Sequence, residues 1–299
     1  MRGLDDSVVE IERGGESMMV YGKKIELFLV NGTADSLVLA ELGNWTGKAI
    51  KIPRTEVTGC DRKDFTRPGV YFLFCKAENE DKDAVYIGEA ENIKARLVQH
   101  LRDASSGNEE YYWNTAVVFT GDDLDKALIR YLEDKLVKEA REANRFTVLT
   151  KNTCGKAVIK ESDQAVMEEY IDKLKILINA LGYKVLEPVA DPSEAESQTA
   201  LHLAIGNAKA EGLLTTEGFV VRKGAVINEK TNEPSLNANT AGFRRKVMAS
   251  DRVVDLVTTE DMLFSSPSAA ADFVLGYAVS GPKTWKDKNG TPLRELNID

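Results

Sequence analysis

Tyr86-Ile87-Gly88-Glu89-Ala90-Glu91-Asn92-Ile93-Lys94-Ala95-Arg96-Leu97 is the stretch that decides how this chain reads. It begins as the end of a strand and finishes inside a helix. Ala84-Val85-Tyr86-Ile87 is a short apolar run, Gly88 interrupts it, and Asn92 is a residue type whose side chain caps a helix N-terminus. Beyond the cap, Ile93, Leu97 and Leu101 recur at i, i+4 and i+8 and form a core face. Arg96 and His100, four apart, share a neighbouring face. A guanidinium beside an imidazole can receive a phosphate: one clamps its oxygens, the other moves a proton near neutral pH. An exposed pair on an ordinary amphipathic helix is the plainer alternative.

Upstream, Gly69-Val70-Tyr71-Phe72-Leu73-Phe74-Cys75 reads as a strand, and the acidic loop Glu78 to Asp83 joins it to the next one as a hairpin. Tyr71 and Tyr86 then lie in neighbouring strands, each beside a glycine. Both can point from one sheet face towards the helix that carries Arg96, although half-buried strand tyrosines often do so without a function. Downstream come a strand at Thr115–Phe119, a long helix opening at Asp122 or Asp123 and running to about Ala143, and a strand at Phe146–Leu149. The order β-β-α-β-α-β predicts a compact α/β (α+β) domain, a small central sheet covered by helices. The stripes Ile93/Leu97/Leu101 and Leu128/Leu132/Leu136 are expected to share one core. Glu133 is an anomaly, because it sits among Ile129, Val137 and Ala140. A carboxylate in an apolar stripe is costly unless it has a cation or a metal as partner. A boundary glutamate paired with a lysine is the alternative.

Taken together, Gly69-Val70-Tyr71, Tyr86-Ile87-Gly88, Asn92, Arg96, His100 and Glu133 resemble the GIY-YIG nuclease family. The resemblance spans about residues 64 to 155 and implies a small sheet flanked by helices, acting on phosphodiester bonds. It implies that Glu133 binds a single Mg²⁺ or Mn²⁺, and that Arg96 stabilises charge on the scissile phosphate. It links Tyr71 to activation of the attacking water, with Tyr86 and His100 orienting the phosphate or relaying protons. An asparagine after the catalytic helix also belongs to the pattern; Asn144 and Asn152 are the candidates, and Thr147 occupies the usual spacing. Relatives often carry a lysine where this chain has Glu89, which removes a positive charge near the phosphate.

The flanks complete the organisation. Residues 1–18 read as a loose leader, and residues 19–54 alternate in the manner of three strands, so 1–63 is a leader and β extension that packs on the nuclease-like domain. Ser162 to Leu181 carries a helical stripe of Val166, Tyr170, Leu174, Leu177 and Leu181, closed by Gly182, which makes 156–186 a helical extension. The Pro-, Ser- and Glu-rich run 187–198 reads as a linker. Residues 199–299 form a smaller C-terminal α/β domain, with strands near Leu201–Ile205, Gly218–Arg222 and Ala225–Ile227 and helices near Ala238–Ala249 and Ser268–Leu275. Asn44-Trp45-Thr46-Gly47-Lys48, Phe264-Ser265-Ser266-Pro267 and Trp285-Lys286 resemble bacterial GIY-YIG proteins with an uncharacterised C-terminal domain, one also found at the ends of some restriction-modification proteins. Arg222, Lys223, Arg244, Arg245, Lys246 and Trp285 are either a surface that reads DNA or a solvated helix face with a buried tryptophan.

Composition bounds the function. The chain has 299 residues and a net charge of −9, so any grip on nucleic acid must be local and salt-sensitive. It contains no run of roughly 18 apolar residues, and no apolar leader follows Met1, which predicts a cytoplasmic protein with no membrane partner. Cys60, Cys75 and Cys154 show no metal-binding spacing and read as free thiols. The expectation is a metal-dependent endonuclease whose partner is nucleic acid, with DNA as the expected substrate. The alternative is a catalytically weak module that uses the same fold to hold nucleic acid or a protein.

Overall fold

The structure, a computed structural model, describes residues 8–13, 16–76, 82–106, 111–151, 158–189 and 200–296. The chain divides into two compact units, Met1–Leu186 and Glu187–Asp299.

The first unit opens with an antiparallel pair, β1 (Val8–Arg13) and β2 (Glu16–Tyr21). A loose leader was expected there. The strands form because two β-prone runs, rich in Val, Ile and Tyr, pair in antiparallel register. Seven further strands make one sheet: β3 (Ile25–Leu29), β4 (Val38–Leu42), β5 (Lys48–Pro53), β6 (Gly69–Cys75), β7 (Ala84–Ala90), β8 (Thr115–Thr120) and β9 (Thr147–Val148), in the order β3-β4-β5-β8-β6-β7-β9. All neighbours are antiparallel except β7 and β9. The N-terminal strands therefore extend the central sheet itself, with Ile50 of β5 facing Val118 of β8 in the ladder.

Three helices cover this sheet: α1 (Ile93–Ser105), α2 (Lys126–Ala143) and α3 (Glu161–Ala180). Asn92 caps α1, its side chain accepting from the Ala95 amide at 3.0 Å. The cap of α2 is Asp125, which accepts from the amides of Ala127 and Leu128 at 2.8 and 3.0 Å. Asp122, one of the two expected caps, pairs with Arg67 instead. The two apolar stripes do not share a core. Ile93 and Leu97 of α1 pack with Tyr71, Leu73 and Val118 on one face. Ile129, Leu132, Leu136 and Val137 of α2 pack with Val70, Phe72, Val85 and Ile87 on the other, beside Tyr170, Leu174 and Leu177 of α3. Successive strand side chains point to opposite faces, so a sheet with helices on both sides builds two cores. All seven residues of β6 are buried as a result. In α3 the buried stripe runs through Met167 and Ile171, and Val166 lies exposed.

The second unit has a four-stranded antiparallel sheet, β10 (Leu201–Ile205), β11 (Ala208–Thr215), β12 (Gly218–Val221) and β15 (Met262–Phe264). A short pair, β13 (Val253–Val254) and β14 (Val257–Thr258), stands beside it. Helices α4 (Ala238–Met248), α5 (Pro267–Leu275) and α6 (Gly281–Thr284) complete it. Ala225–Ile227 is not a strand of this sheet; Val226 makes only isolated bridges to Lys209 and Val257. Of the two readings of the basic residues, the one with a buried tryptophan is met at Trp285, and neither foresaw a buried Arg244. Arg244 and Trp285 are fully buried, and Arg222 and Arg245 pair with Asp261 and Glu233. The Arg244 guanidinium donates to the carbonyls of Phe273 and Asn228 and to the Thr231 hydroxyl, tying α4 to the last turn of α5 and the loop after β12. Its role there is to brace the core. Among the described residues no helix is long and apolar enough to cross a membrane.

If β5 is integral to the sheet, truncating its central side chain must destabilise the whole first unit. Ile50→Ala is expected to lower unfolding free energy by about 2–5 kcal/mol in urea titrations, the range for a fully buried isoleucine. A loss below about 1 kcal/mol would mark β5 as a detachable appendage.

Candidate active site

The site is built on the ladder between β6 and β7. In that register Tyr71 stands directly opposite Gly88. A Cβ at position 88 would lie 2.5 Å from Tyr71 Oη and 2.9 Å from Tyr86 Cε1, so only glycine lets the Tyr71 phenol lie across β7. Gly88 thus supports two tyrosines, and its signal in the sequence is simply a glycine inside a strand.

Helix α1 brings two groups to that phenol. Arg96 Nε lies 3.3 Å from Tyr71 Oη, and His100 Nε2 lies 3.0 Å from it. The guanidinium also hydrogen-bonds the Tyr86 hydroxyl. The Tyr86 ring sits 6.2 Å from Tyr71 and 5.4 Å from His100, centroid to centroid, and Tyr111 stacks on its far side at 5.6 Å. Arginine has only donors, so Tyr71 Oη accepts from Arg96 and gives its own proton to His100. His100 must then be neutral with Nε2 unprotonated, and its electrostatics agree. Burial, and then the Arg96 charge, hold its pKa down to about 4. Burial, with the Tyr86 hydroxyl adding to it, pushes the Tyr71 phenol well above the usual tyrosine range.

Glu133 arrives from the opposite face of the sheet, on α2, with 6% of its surface exposed. Its carboxylate accepts a hydrogen bond from the Glu89 backbone, and its negative charge is felt by the Tyr71 phenol. Of the side chains on the α1 face, the Tyr71 phenol is the one its charge reaches. Beyond Val85 the ladder with β9 gives way to Thr150, which bonds the Ile87 backbone. Burial, and then the neighbouring Glu89 charge, raise the Glu133 pKa to about 7.

Asn144 is not part of this cluster. It lies eleven residues beyond Glu133, about 16 Å along the helix axis. There it caps α2 in the left-handed conformation with φ of 52°. Its backbone and side-chain oxygens accept from Lys82 Nζ at 2.9 and 3.0 Å. Asn152 lies outside the described residues. Thr150 has a place that sequence reasoning did not signal. Its buried hydroxyl accepts from the Ile87 amide at 2.9 Å and donates to the Ile87 carbonyl at 2.7 Å. It anchors the strand between Tyr86 and Gly88 after β9 has ended. Arg54 was also missed. Its guanidinium lies 4.5 Å from the centroid of the Tyr112 ring and 4.7 Å from that of Trp113, and its charge reaches His100.

Residues 67–146 match the family model of the GIY-YIG catalytic domain. The chain carries a GIY-YIG domain. Residues 201–297 match a second model, a domain of unknown function (DUF4357). No curated protein and no solved structure matches the chain. The GIY-YIG domain is of nuclease type and its substrates are nucleic acids; nucleases of this family generally depend on a divalent metal. The donor set around Glu133 suits such an ion. Among the described residues no group of three or more His, Cys, Asp or Glu forms a cage. One or two buried carboxylates with hard oxygens match Mg²⁺ or Mn²⁺, which keep several waters, and do not match zinc.

Two titrations in the GIY-YIG domain oppose each other. Glu133, raised, contributes stability that is complete below its usual 4.5 and is lost as pH climbs through about 7. His100, lowered, contributes stability that is complete above its usual 6.5 and is lost as pH falls through about 4. Each slope is at most about 1.4 kcal/mol per pH unit, so between pH 4.5 and 6.5 they largely cancel in metal-free protein. Glu133→Gln is expected to leave the His100 slope, with melting temperature falling relative to the parent as pH drops from 6.5 to 4. His100→Gln is expected to leave the opposite slope, falling as pH rises from 4.5 to 7. Melting curves in chelator-containing buffers check both; two variants that run parallel to the parent would rule the opposition out.

Proposed function

We propose that the GIY-YIG domain of this chain is a metal-dependent endonuclease that hydrolyses phosphodiester bonds in DNA. The hydrogen-bonded series Arg96–Tyr71–His100 carries the reading, because it combines a clamp for phosphate oxygens with a route for a proton. A divalent ion held at Glu133 would neutralise charge that develops on the phosphate oxygens.

The residues divide the remaining work. Arg96 presents donors to a non-bridging oxygen, and its planar fork is preorganised by both tyrosine hydroxyls. Tyr71 acts as a relay. A phenol with so high a pKa does not serve as a free phenolate. It takes a proton from the attacking water at Oη while its own proton passes to His100 Nε2, leaving an imidazolium. The nearby phosphate charge favours that imidazolium, which burial and Arg96 disfavour in the free protein. Tyr86 holds the guanidinium and packs between Tyr71 and Tyr111. The nucleophile is an external water, so the relay needs no 2′-hydroxyl on the substrate and admits DNA. Cations gather on the α1 side of the site as Arg96 and Arg54, which gives an acidic chain a local place for phosphate.

Single-turnover cleavage of supercoiled plasmid with Mn²⁺ tests the assignment. Glu133→Gln should abolish cutting, because a neutral amide is a poor ligand for a hard cation. Arg96→Ala should slow the chemical step on the order of 10²-fold or more, and Arg96→Lys should recover little. His100→Gln should slow it as well, while leaving DNA binding intact. Binding itself should weaken steeply with salt. A parent chain that binds DNA and never cuts single- or double-stranded substrates would replace the enzyme with a binding module; cutting by Glu133→Gln at the parent rate would move the metal elsewhere.

A further inference from the structure

Glu89 stands where relatives of this family often carry a lysine, and its surroundings give it a different use. Along β7, Val85 and Ile87 point into the core shared with α2. Glu89 follows the same alternation and faces α2, as Glu133 faces β7. The charge and the backbone of Glu89 both reach the Glu133 carboxylate. The Glu89 side chain is 17% exposed and Glu133 is buried, so both carboxylates occupy one partly dry corner between β7 and α2.

The protein supplies little to balance them. Arg130, one turn before Glu133 on α2, is the cation that faces Glu89, and its Nε is 3.9 Å from the nearer Glu89 oxygen. A charge-assisted bond closes to about 2.7–2.9 Å. Arg130 Nε is instead a buried donor with no acceptor. Lys126, a further turn back, is taken by Glu91 at 2.8 Å. The Glu89 carboxylate therefore stands beside α2 in a loose ion pair with Arg130, and one guanidinium offsets only one of two negative charges.

We propose that Glu89 is a second carboxylate ligand, beside Glu133, for the single divalent cation of this GIY-YIG domain. The inference rests on the metal-dependent reading above. Charges are then divided between the two faces: positive charge for the phosphate comes from Arg96 and Arg54 on the α1 side, and Glu89 strengthens the hold on the metal from the α2 side. Two carboxylates with waters filling the remaining positions is a ligand set that Mg²⁺ and Mn²⁺ commonly accept.

Mn²⁺ binding to the full chain, read by calorimetry and by loss of the free-ion paramagnetic resonance signal, tests this without any cleavage step. The parent is expected to take up one Mn²⁺, Glu133→Gln to lose it, and Glu89→Gln to bind at least about tenfold more weakly, in line with the dependence of affinity on ligand charge. Glu89→Lys should lose binding altogether. Glu89→Ala and the Mn²⁺-induced rise in melting temperature serve as a second variant and a second readout, each compared with the metal-free melt of the same protein. Glu89→Gln and Glu89→Ala binding Mn²⁺ within about twofold of the parent would overturn the proposal and leave Glu133 as the ligand. A parent that binds Mn²⁺ no better than Glu133→Gln does would overturn it together with the metal-dependent reading.

Discussion

The Tyr71 phenol reaches its position only because nothing projects from β7 at Gly88. That absence of a side chain sets the geometry of everything near it. With the ring laid across the neighbouring strand, Oη stands at the level where one turn of α1 can present both Arg96 and His100. The helix is aimed by Asn92 and seated by Ile93 and Leu97, so the two polar residues have little freedom in where they meet the phenol. Arg96, Tyr71 and His100 then have one hydrogen-bond assignment that satisfies all three. Burial disfavours a charge on the phenol or the imidazole, and both stay neutral until a substrate changes the local field. Thr150 fixes the backbone of Ile87 on the same strand, so the register beneath the phenol is tied at a point where β9 no longer supports it.

The site straddles a sheet edge. Tyr71, Arg96 and His100 meet on the α1 face, and Glu133 lies on the α2 face. This arrangement keeps Arg96 from collapsing onto Glu133 as a buried ion pair, which would neutralise both groups before a substrate arrived. The cost is an ionisable carboxyl in an apolar stripe, the kind of local inconsistency that function tends to impose on an otherwise consistent core. The rest of the domain offsets that cost with a sheet covered on both faces.

Much of this is legible in the sequence. The order of strands and helices from Gly69 to Val148, the cap at Asn92 and the anomaly at Glu133 all derive from short-range periodicity and residue type. The illegible part depends on sidedness and distance. Periodicity says that two helices each have an apolar stripe, and is silent on whether they face each other; here they face opposite sides of the sheet. The family resemblance offered Asn144 as a site residue, yet a left-handed cap carries it to the far end of α2. Residue type offered Arg244 either to a basic surface or to a solvated helix face, although three neutral oxygens allow that guanidinium to be buried. Thr150 and Arg54 had no sequence signal, since one acts through a strand backbone and the other through rings more than fifty residues further along the chain.

The continuity of the sheet has a consequence for what counts as the transferable piece. The stretch that matches the catalytic family begins at residue 67, between β5 and β6. Yet β8 lies inside the sheet, with β5 on one side and β6 on the other. A fragment cut at that boundary would bare one long side of Thr-Ala-Val-Val-Phe-Thr, a β-prone segment without a charge or a proline to discourage pairing. Such an edge invites a neighbouring chain to complete it. The strands before residue 67 therefore act as a built-in guard against intermolecular pairing, and a graft of this chemistry into another protein has to carry them along.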